Sequence, residues 1–377
     1  MSARVRVLAV VAALCLGAGC ADGGPDAPGA AVPDGPPAAG AAVSASASGL
    51  LLNGKPWWPA GFNAPQLATD YGLNIGCGAE VNLDEFFERL PRHSLTRFNV
   101  FQALAVNKTT GALDFRAVDA VFAAAERHAQ LVLPVLVPQD GACDDETFKQ
   151  REWFTRGWAE ARPIEGRAVL STRDWIRAAV QRWRSSPVVA GWEVIGEPEP
   201  GVCAGDCADD RQSCPDDAAA VLRTFMDESG ALVRRLDPGR LIFAGFIGGG
   251  QCGTAGEEFV RVGASRFIDV LEFHDYGEED VAVPGDAFNG LAVRLDQAEL
   301  LRKPLLVAEI GVAAGSCRSL PARRAAIERK MIGQRAAGAA GALVWAFVPD
   351  PRANACTFDV GPDDPLWDLV AERITVG

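Results

Sequence analysis

Short runs rich in Val, Ile, Leu, Phe and Trp recur through most of the chain, and stretches with helical spacing separate them. The runs are WWPAGFN (57–63), LTRFNVF (95–101), LVLPVLV (131–137), VVAGWEVI (188–195), LIFAGFI (241–247), FIDVLEFH (267–274), PLLVAEIG (304–311) and GALVWAFV (341–348). Amphipathic stretches fall between them at 114–129, 171–184, 216–236, 291–302 and 321–337, and a last one covers about 365–373. In DFRAVDAVFAAAERHA, Phe115, Val118, Val121 and Phe122 share one side, the spacing of a helix face packed on a sheet. Strands alternating with helices predict parallel strands joined by crossover helices. Eight such units predict an α/β fold of the (β/α)8 TIM-barrel type. An open doubly wound sheet is the alternative, and it is weakened because no glycine-rich phosphate loop follows the first strand.

The pattern is absent from the first fifty residues. Arg4 and Arg6 precede an apolar run from Val7 to Leu16, then Gly17, Ala18, Gly19 and Cys20. That layout predicts an export signal over 1–19, since the run is too short to span a bilayer. The small residues before Cys20 also resemble a bacterial lipoprotein cleavage site, which would lipidate that Cys; ordinary secretion is the alternative. Residues 20–48 are mostly Ala, Gly, Pro, Ser and Asp with no aromatic, and predict a flexible tether. The barrel is expected over 49–377.

Composition narrows the partners. The net charge of −13 becomes −15 without Arg4 and Arg6, and such a surface repels nucleic acid and anionic headgroups. Membrane contact is therefore expected only through a lipid on Cys20. An uncharged polysaccharide or oligosaccharide suits the charge as substrate. Beyond Cys15 and Cys20, eight cysteines remain: Cys77, Cys143, Cys203, Cys207, Cys214, Cys252, Cys317 and Cys356. All follow predicted strands, so a barrel gathers them on its C-terminal face, where long loops build active sites. An even count in an exported chain predicts up to four disulfides of open connectivity. Cys203, Cys207 and Cys214 lie close enough for a zinc reading, but no His is near them. No metal or other cofactor is expected.

Two carboxylates close predicted strands: Glu197 after VVAGWEVIG and Glu309 in LLVAEIG. They lie on strands 4 and 7, across a barrel mouth from each other. Paired carboxyls about 5–5.5 Å apart are the arrangement for glycoside hydrolysis with retention.

These residues resemble clan A glycoside hydrolases, particularly family 5, which contains cellulases and β-mannanases. The resemblance covers about residues 50–377. LLLNGKPWWPAGFN resembles the first strand, with Asn63 near its end, and TRFN places Arg97 where the family keeps an Arg beside the nucleophile. RWRSSPVVAGWEVIGEP resembles the passage to strand 4, with Glu197 at the general acid/base position. FHDY puts His274 and Tyr276 at the pair lining the central sugar subsite, AEIG gives the nucleophile position to Glu309, and ALVWAF places Trp345 at the sugar platform. The implied activity is an exported retaining hydrolase of β-linked glycans, β-mannan or β-glucan, with Arg97, His274, Tyr276, Trp345 and Asn63 binding substrate.

In chemical terms Glu309 must be ionised to attack, whereas Glu197 must start protonated, with a raised pKa. Glu193 and Glu272 share strand parity with the site residues and are expected inside the barrel. Trp153 and Trp158 are candidates for distal sugar subsites, and Asp140, Asp144 and Asp145 read as solvated loop charges. Two departures stand out. Gly196 occupies the position before the acid/base where the family has Asn, and VPQDG after strand 3 lacks the His of many cellulases. Gly196 motivates a second reading: a catalytically impaired carbohydrate-binding protein on the same barrel.

Overall fold

The structure, a computed structural model, describes residues 42–205, 207, 212–278 and 280–376. The expected signal, Cys20 and most of the expected tether lie outside the described residues.

Eight parallel strands form the barrel: β1 (Ala60–Phe62), β2 (Leu95–Asn99), β3 (Leu131–Val135), β4 (Gly191–Glu193), β5 (Leu241–Phe243), β6 (Leu271–Asp275), β7 (Leu305–Ile310) and β8 (Ala342–Val344). Two four-stranded sheets, β5-β4-β3-β2 and β6-β7-β8-β1, carry them. Parallel bridges Asn63–Arg97 and Phe243–Val270 join the sheets at both seams and close the ring. The fold is a (β/α)8 barrel.

The helices are α1 (Leu83–Arg89), α2 (Arg116–Arg127), α3 (Arg151–Thr155), α4 (Thr172–Trp183), α5 (Ala218–Leu236), α6 (Glu258–Gly263), α7 (Leu291–Leu301), α8 (Leu320–Ala336) and α9 (Leu366–Arg373). Hydroxyl caps start two of them, Ser171 accepting from the Asp174 N–H and Ser319 from the Ala322 N–H. On α2, Val118, Val121 and Phe122 are buried as their spacing predicts.

Residues 43–48, expected in the tether, are folded. Val43–Ser46 pairs antiparallel with Gly49–Leu52, which pairs with Lys55–Trp58, and Thr375–Val376 completes that sheet. Val43, Leu50, Leu52 and Trp57 pack on Leu95, Leu131, Leu241 and Phe243, the lower interior of the barrel. This small sheet plugs the N-terminal mouth, so the opposite mouth alone is left for chemistry. The Ala/Ser-rich composition concealed the strand; its apolar partner, LLL at 50–52, selects it.

All eight cysteines are paired, as Cys77–Cys143, Cys203–Cys207, Cys214–Cys252 and Cys317–Cys356. Cys203, Cys207 and Cys214 are thus disulfide partners, not a zinc set. The bonds tie the loops after β1 and β3, after β4 and β5, and after β7 and β8.

Candidate active site

Glu309 reaches the mouth through an irregularity in β7. His274 lies opposite Glu309 and Phe273 opposite Val307, so β7 carries one residue more than β6 there. The register with β8 shifts over the same residues. Val307 and Ile310 pack outward with the helix layer, while Leu306 and Ala308 belong to the lower interior. The extra residue lets Glu309 follow Ala308 inward, the way bulges re-aim side chains beside active sites.

Arg97, on β2, organises what surrounds that carboxylate. Its Nη1 donates to Glu309 Oε1 at 2.7 Å and to Asn63 Oδ1 at 2.9 Å. Its Nε and Nη2 hold both oxygens of Glu193, each at 2.7 Å. Tyr276 donates its hydroxyl to Glu309 Oε2 at 2.5 Å. Gly311 makes that reach possible: a Cβ there would lie 2.2 Å from the Tyr276 ring. His274 Nδ1 sits 2.7 Å from Glu197 Oε1 and 3.5 Å from Glu309 Oε2, bridging the two carboxylates.

Six of the seven sequence-predicted residues therefore form one bonded network. Trp345 stands beside it, its backbone N–H bonded to the Ile310 carbonyl at 2.9 Å. Of nine Trp residues it alone is half-buried, the other eight being buried. That excludes the subsites considered for Trp153 and Trp158, which pack against Phe225 in the core. The burial of Asn63 (1 % exposed) and Arg97 (5 %) likewise departs from the expected sugar contacts. Asn63 is spent on Arg97 and the Ala308 carbonyl, and both residues brace Glu309 from below. Glu193 and Glu272 point into the barrel as their parity predicts, and both are fully buried.

Glu197 follows β4 with φ +61°, a left-handed conformation unusual for a residue with a Cβ. Its N–H donates to the Gly245 carbonyl at 2.8 Å, and the neighbouring Gly196 carbonyl accepts from the Gln139 N–H at 3.1 Å. Gln139 also accepts from the Glu199 N–H, and the Glu199 carboxylate accepts from the Cys252 N–H. Glu199 is thereby a loop brace. None of these backbone anchors has a motif signature; the Gly at 245 was the one available hint.

The charges run against one expectation. Burial raises Glu197, but the His274 hydrogen bond and charge, with Arg97, outweigh it and hold the carboxyl below its ordinary value. Burial pushes Glu309 above its ordinary value, and the Glu197 charge adds to that against His274, Arg97 and Tyr276. For His274 burial acts downward, yet the charges of Glu309 and Glu197 and the Glu197 hydrogen bond raise it. The directions oppose the expectation of a raised Glu197: its carboxyl is held down while the neighbouring His274 is pushed up. By donor type Glu197, His274 and Glu309 suit a divalent cation, with one atom from each within 4.8 Å of the others. Those donors are already engaged with one another, with Arg97 and with Tyr276.

Comparison with known proteins finds relatives but no matching protein-family model. The chain is 25% identical over 348 residues to mannan endo-1,4-beta-mannosidase 7 of Arabidopsis thaliana, covering 78% of this chain and 75% of that one. It is 25% identical over 227 residues to mannan endo-1,4-beta-mannosidase F of Aspergillus clavatus, covering 55% of this chain and 47% of that one. The chain thus spans about half the length of the second relative. Among solved structures, a glycoside hydrolase family 5 mannosidase from Rhizomucor miehei superposes with a TM-score of 0.60 at 14% identity, over 90% of this chain and 97% of that one. An endo-1,4-beta-mannanase from the same organism gives 0.59 at 16% identity, over 88% and 98%. These likenesses bear out the (β/α)8 barrel.

Proposed function

We propose that the chain is a retaining glycoside hydrolase acting on β-linked glycans, of which β-mannan is the first choice. The observation that carries this reading is the carboxylate pair at the open mouth. Glu197 and Glu309 each bring one oxygen within 4.8 Å of the other, in keeping with the short spacing of double displacement. The mannan preference rests on the named activity of the two relatives.

Glu309 is the nucleophile. The Arg97 guanidinium and the Tyr276 hydroxyl stabilise its ionised form against burial, and they hold both oxygens in place. One oxygen forms a bond to the anomeric carbon as the glycosidic C–O bond breaks, and the departing oxygen takes a proton from Glu197. A bound sugar strips water from the half-exposed Glu197 carboxyl and favours its neutral form. The proton reaches Glu197 Oε1 from His274 Nδ1, 2.7 Å away. Water then attacks the glycosyl–enzyme ester, Glu197 takes its proton, and Glu309 leaves as carboxylate. Trp345 offers the apolar face on which a pyranose ring can rest.

The four disulfides suit an oxidising compartment. With the signal-like first residues they support an exported protein, anchored through Cys20 if that residue is lipidated. The test is reducing-sugar release from mannan, glucan and xylan by the parent, Glu309→Gln and Glu197→Gln. NMR of the first-formed anomer reports retention. Activity on mannan that Glu309→Gln abolishes is the expected result. A parent as inert as Glu309→Gln, with both still binding glycan, would establish the carbohydrate-binding reading instead.

A further inference from the structure

We propose that Glu272 is a positioning residue that fixes the main chain of Glu197 through the backbone of Gly245. The kinetic consequence rests on the role proposed above for Glu197; the structural consequence does not.

Glu272 lies on β6, two residues before His274, and is fully buried inside the barrel. Its Oε2 accepts the Gly245 N–H, and its Oε1 has no hydrogen-bond partner among the described residues. On the far side of Gly245, the carbonyl accepts the Glu197 N–H at 2.8 Å. One residue therefore separates a buried carboxyl from the backbone of the residue that must deliver a proton.

The surroundings explain why such a prop is needed. Glu197 sits at φ +61°, which a residue with a Cβ keeps only when its neighbours over-determine it. The β3 side supplies two backbone anchors, Gly196 N–H to the Val137 carbonyl and Gln139 N–H to the Gly196 carbonyl. Among the described residues the β5 side supplies only Gly245, itself at φ +69°. Glycine is required there, because a Cβ would fall 1.9 Å from the Ile195 oxygen. The same freedom leaves the Gly245 peptide able to turn unless something holds its N–H. Glu272 is the side chain that holds it. A buried carboxyl is costly and must be bonded to persist, and this bond to Gly245 is the one Glu272 makes among the described residues.

Two variants separate reach from the carboxyl itself. Glu272→Gln keeps an acceptor oxygen at the same distance on an amide. Glu272→Asp keeps the carboxyl but withdraws it by one methylene. Amide hydrogen exchange at Gly245 and Glu197 is the activity-independent readout, and kcat and KM on mannan are the second. The expected result is normal protection and kcat in Glu272→Gln. In Glu272→Asp, both amides should exchange faster and kcat should fall roughly ten-fold with KM unchanged, the pattern of a misplaced catalytic group. Unchanged exchange in Glu272→Asp overturns the proposal. So does faster exchange in Glu272→Gln, even if Glu272→Asp does not fold. If the parent shows no hydrolysis, the exchange data still decide the positioning role, and the failure falls on the catalytic reading alone.

Discussion

Adding a side chain at Gly196 should impair the proposed activity, even when the addition is the Asn that the family resemblance implies there. Gly196 does not adopt the left-handed backbone that favours glycine, so conformation does not forbid substitution. Space does. A Cβ there would lie 3.1 Å from Arg97 Nη2, 3.3 Å from Val135 Cγ1 and 3.4 Å from Glu193 Oε1. Comfortable contacts begin near 3.5 Å, so Arg97 must retreat by a few tenths of an ångström. It has little freedom to do so, because its three nitrogens make four bonds of 2.7–2.9 Å to Glu193, Asn63 and Glu309. Overpacking of this kind costs about 1–3 kcal/mol. If that strain reaches Glu309, kcat/KM falls roughly five- to hundred-fold. The assay is kcat/KM on mannan for Gly196→Ala and Gly196→Asn beside the parent, with thermal unfolding to confirm folding. Gly196→Ala isolates the Cβ, and Gly196→Asn adds the amide. An unimpaired Gly196→Ala would refute the crowding argument. A several-fold gain in Gly196→Asn would show that Arg97 yields and that the native site lacks the amide it needs.

Three further outcomes follow from the same coordinates. Tyr276→Phe removes a hydroxyl from buried Glu309; a hydrogen bond to a charged group is worth about 1.5–3 kcal/mol, so the acid limb of kcat/KM should move up by about 1–2 pH units. A pH–rate profile with an unmoved limb would count against Glu309 as the ionised nucleophile. Asp144, expected as a solvated charge, is 8 % exposed and accepts the Ala103 N–H; burial and the Asp145 charge push it up to about 7. Its folded value exceeds its unfolded one, so stability falls as pH rises from about 4 to about 7 and is level above that. Asp144→Asn should therefore raise the unfolding free energy at pH 8, by an upper bound of about 4 kcal/mol, with a higher Tm, and leave both unchanged at pH 4. Replacing Cys77 and Cys143 by Ser opens a cross-link of 66 residues and should cost about 4 kcal/mol in denaturant titrations, with no loss if the unfolded chain is already compact.

What the sequence disclosed and what it concealed divide along a physical line. Buried strands carry their own signature, since LVLPVLV and LLVAEI can be nothing but interior. Side-chain direction within a regular strand follows from period two, which is why Glu272, two residues before His274, was expected inside. The same rule fails at Glu309. Counting from Leu306 and Ala308, strict alternation would turn Glu309 outward with Val307, away from the mouth. Only the extra residue in β7 brings it in, and a bulge is a relation between neighbouring strands, invisible in either alone. Its place at a strand end, with the family resemblance, supplied Glu309 where periodicity would have rejected it. The upward shift of His274 is a second relation of that kind: it depends on two carboxylates from different strands flanking one imidazole. The composition of residues 43–48 misled for the converse reason, because VSAS has too few apolar residues to announce a strand and folds only against LLL. The barrel is thus written locally, whereas the catalytic geometry is written between strands, in Gly311 yielding to Tyr276, Gly245 yielding to Ile195, and Gly196 yielding to Arg97. Of the three, Gly196, where a Cβ meets nothing nearer than 3.1 Å, is where a single methyl group should harm function more than fold.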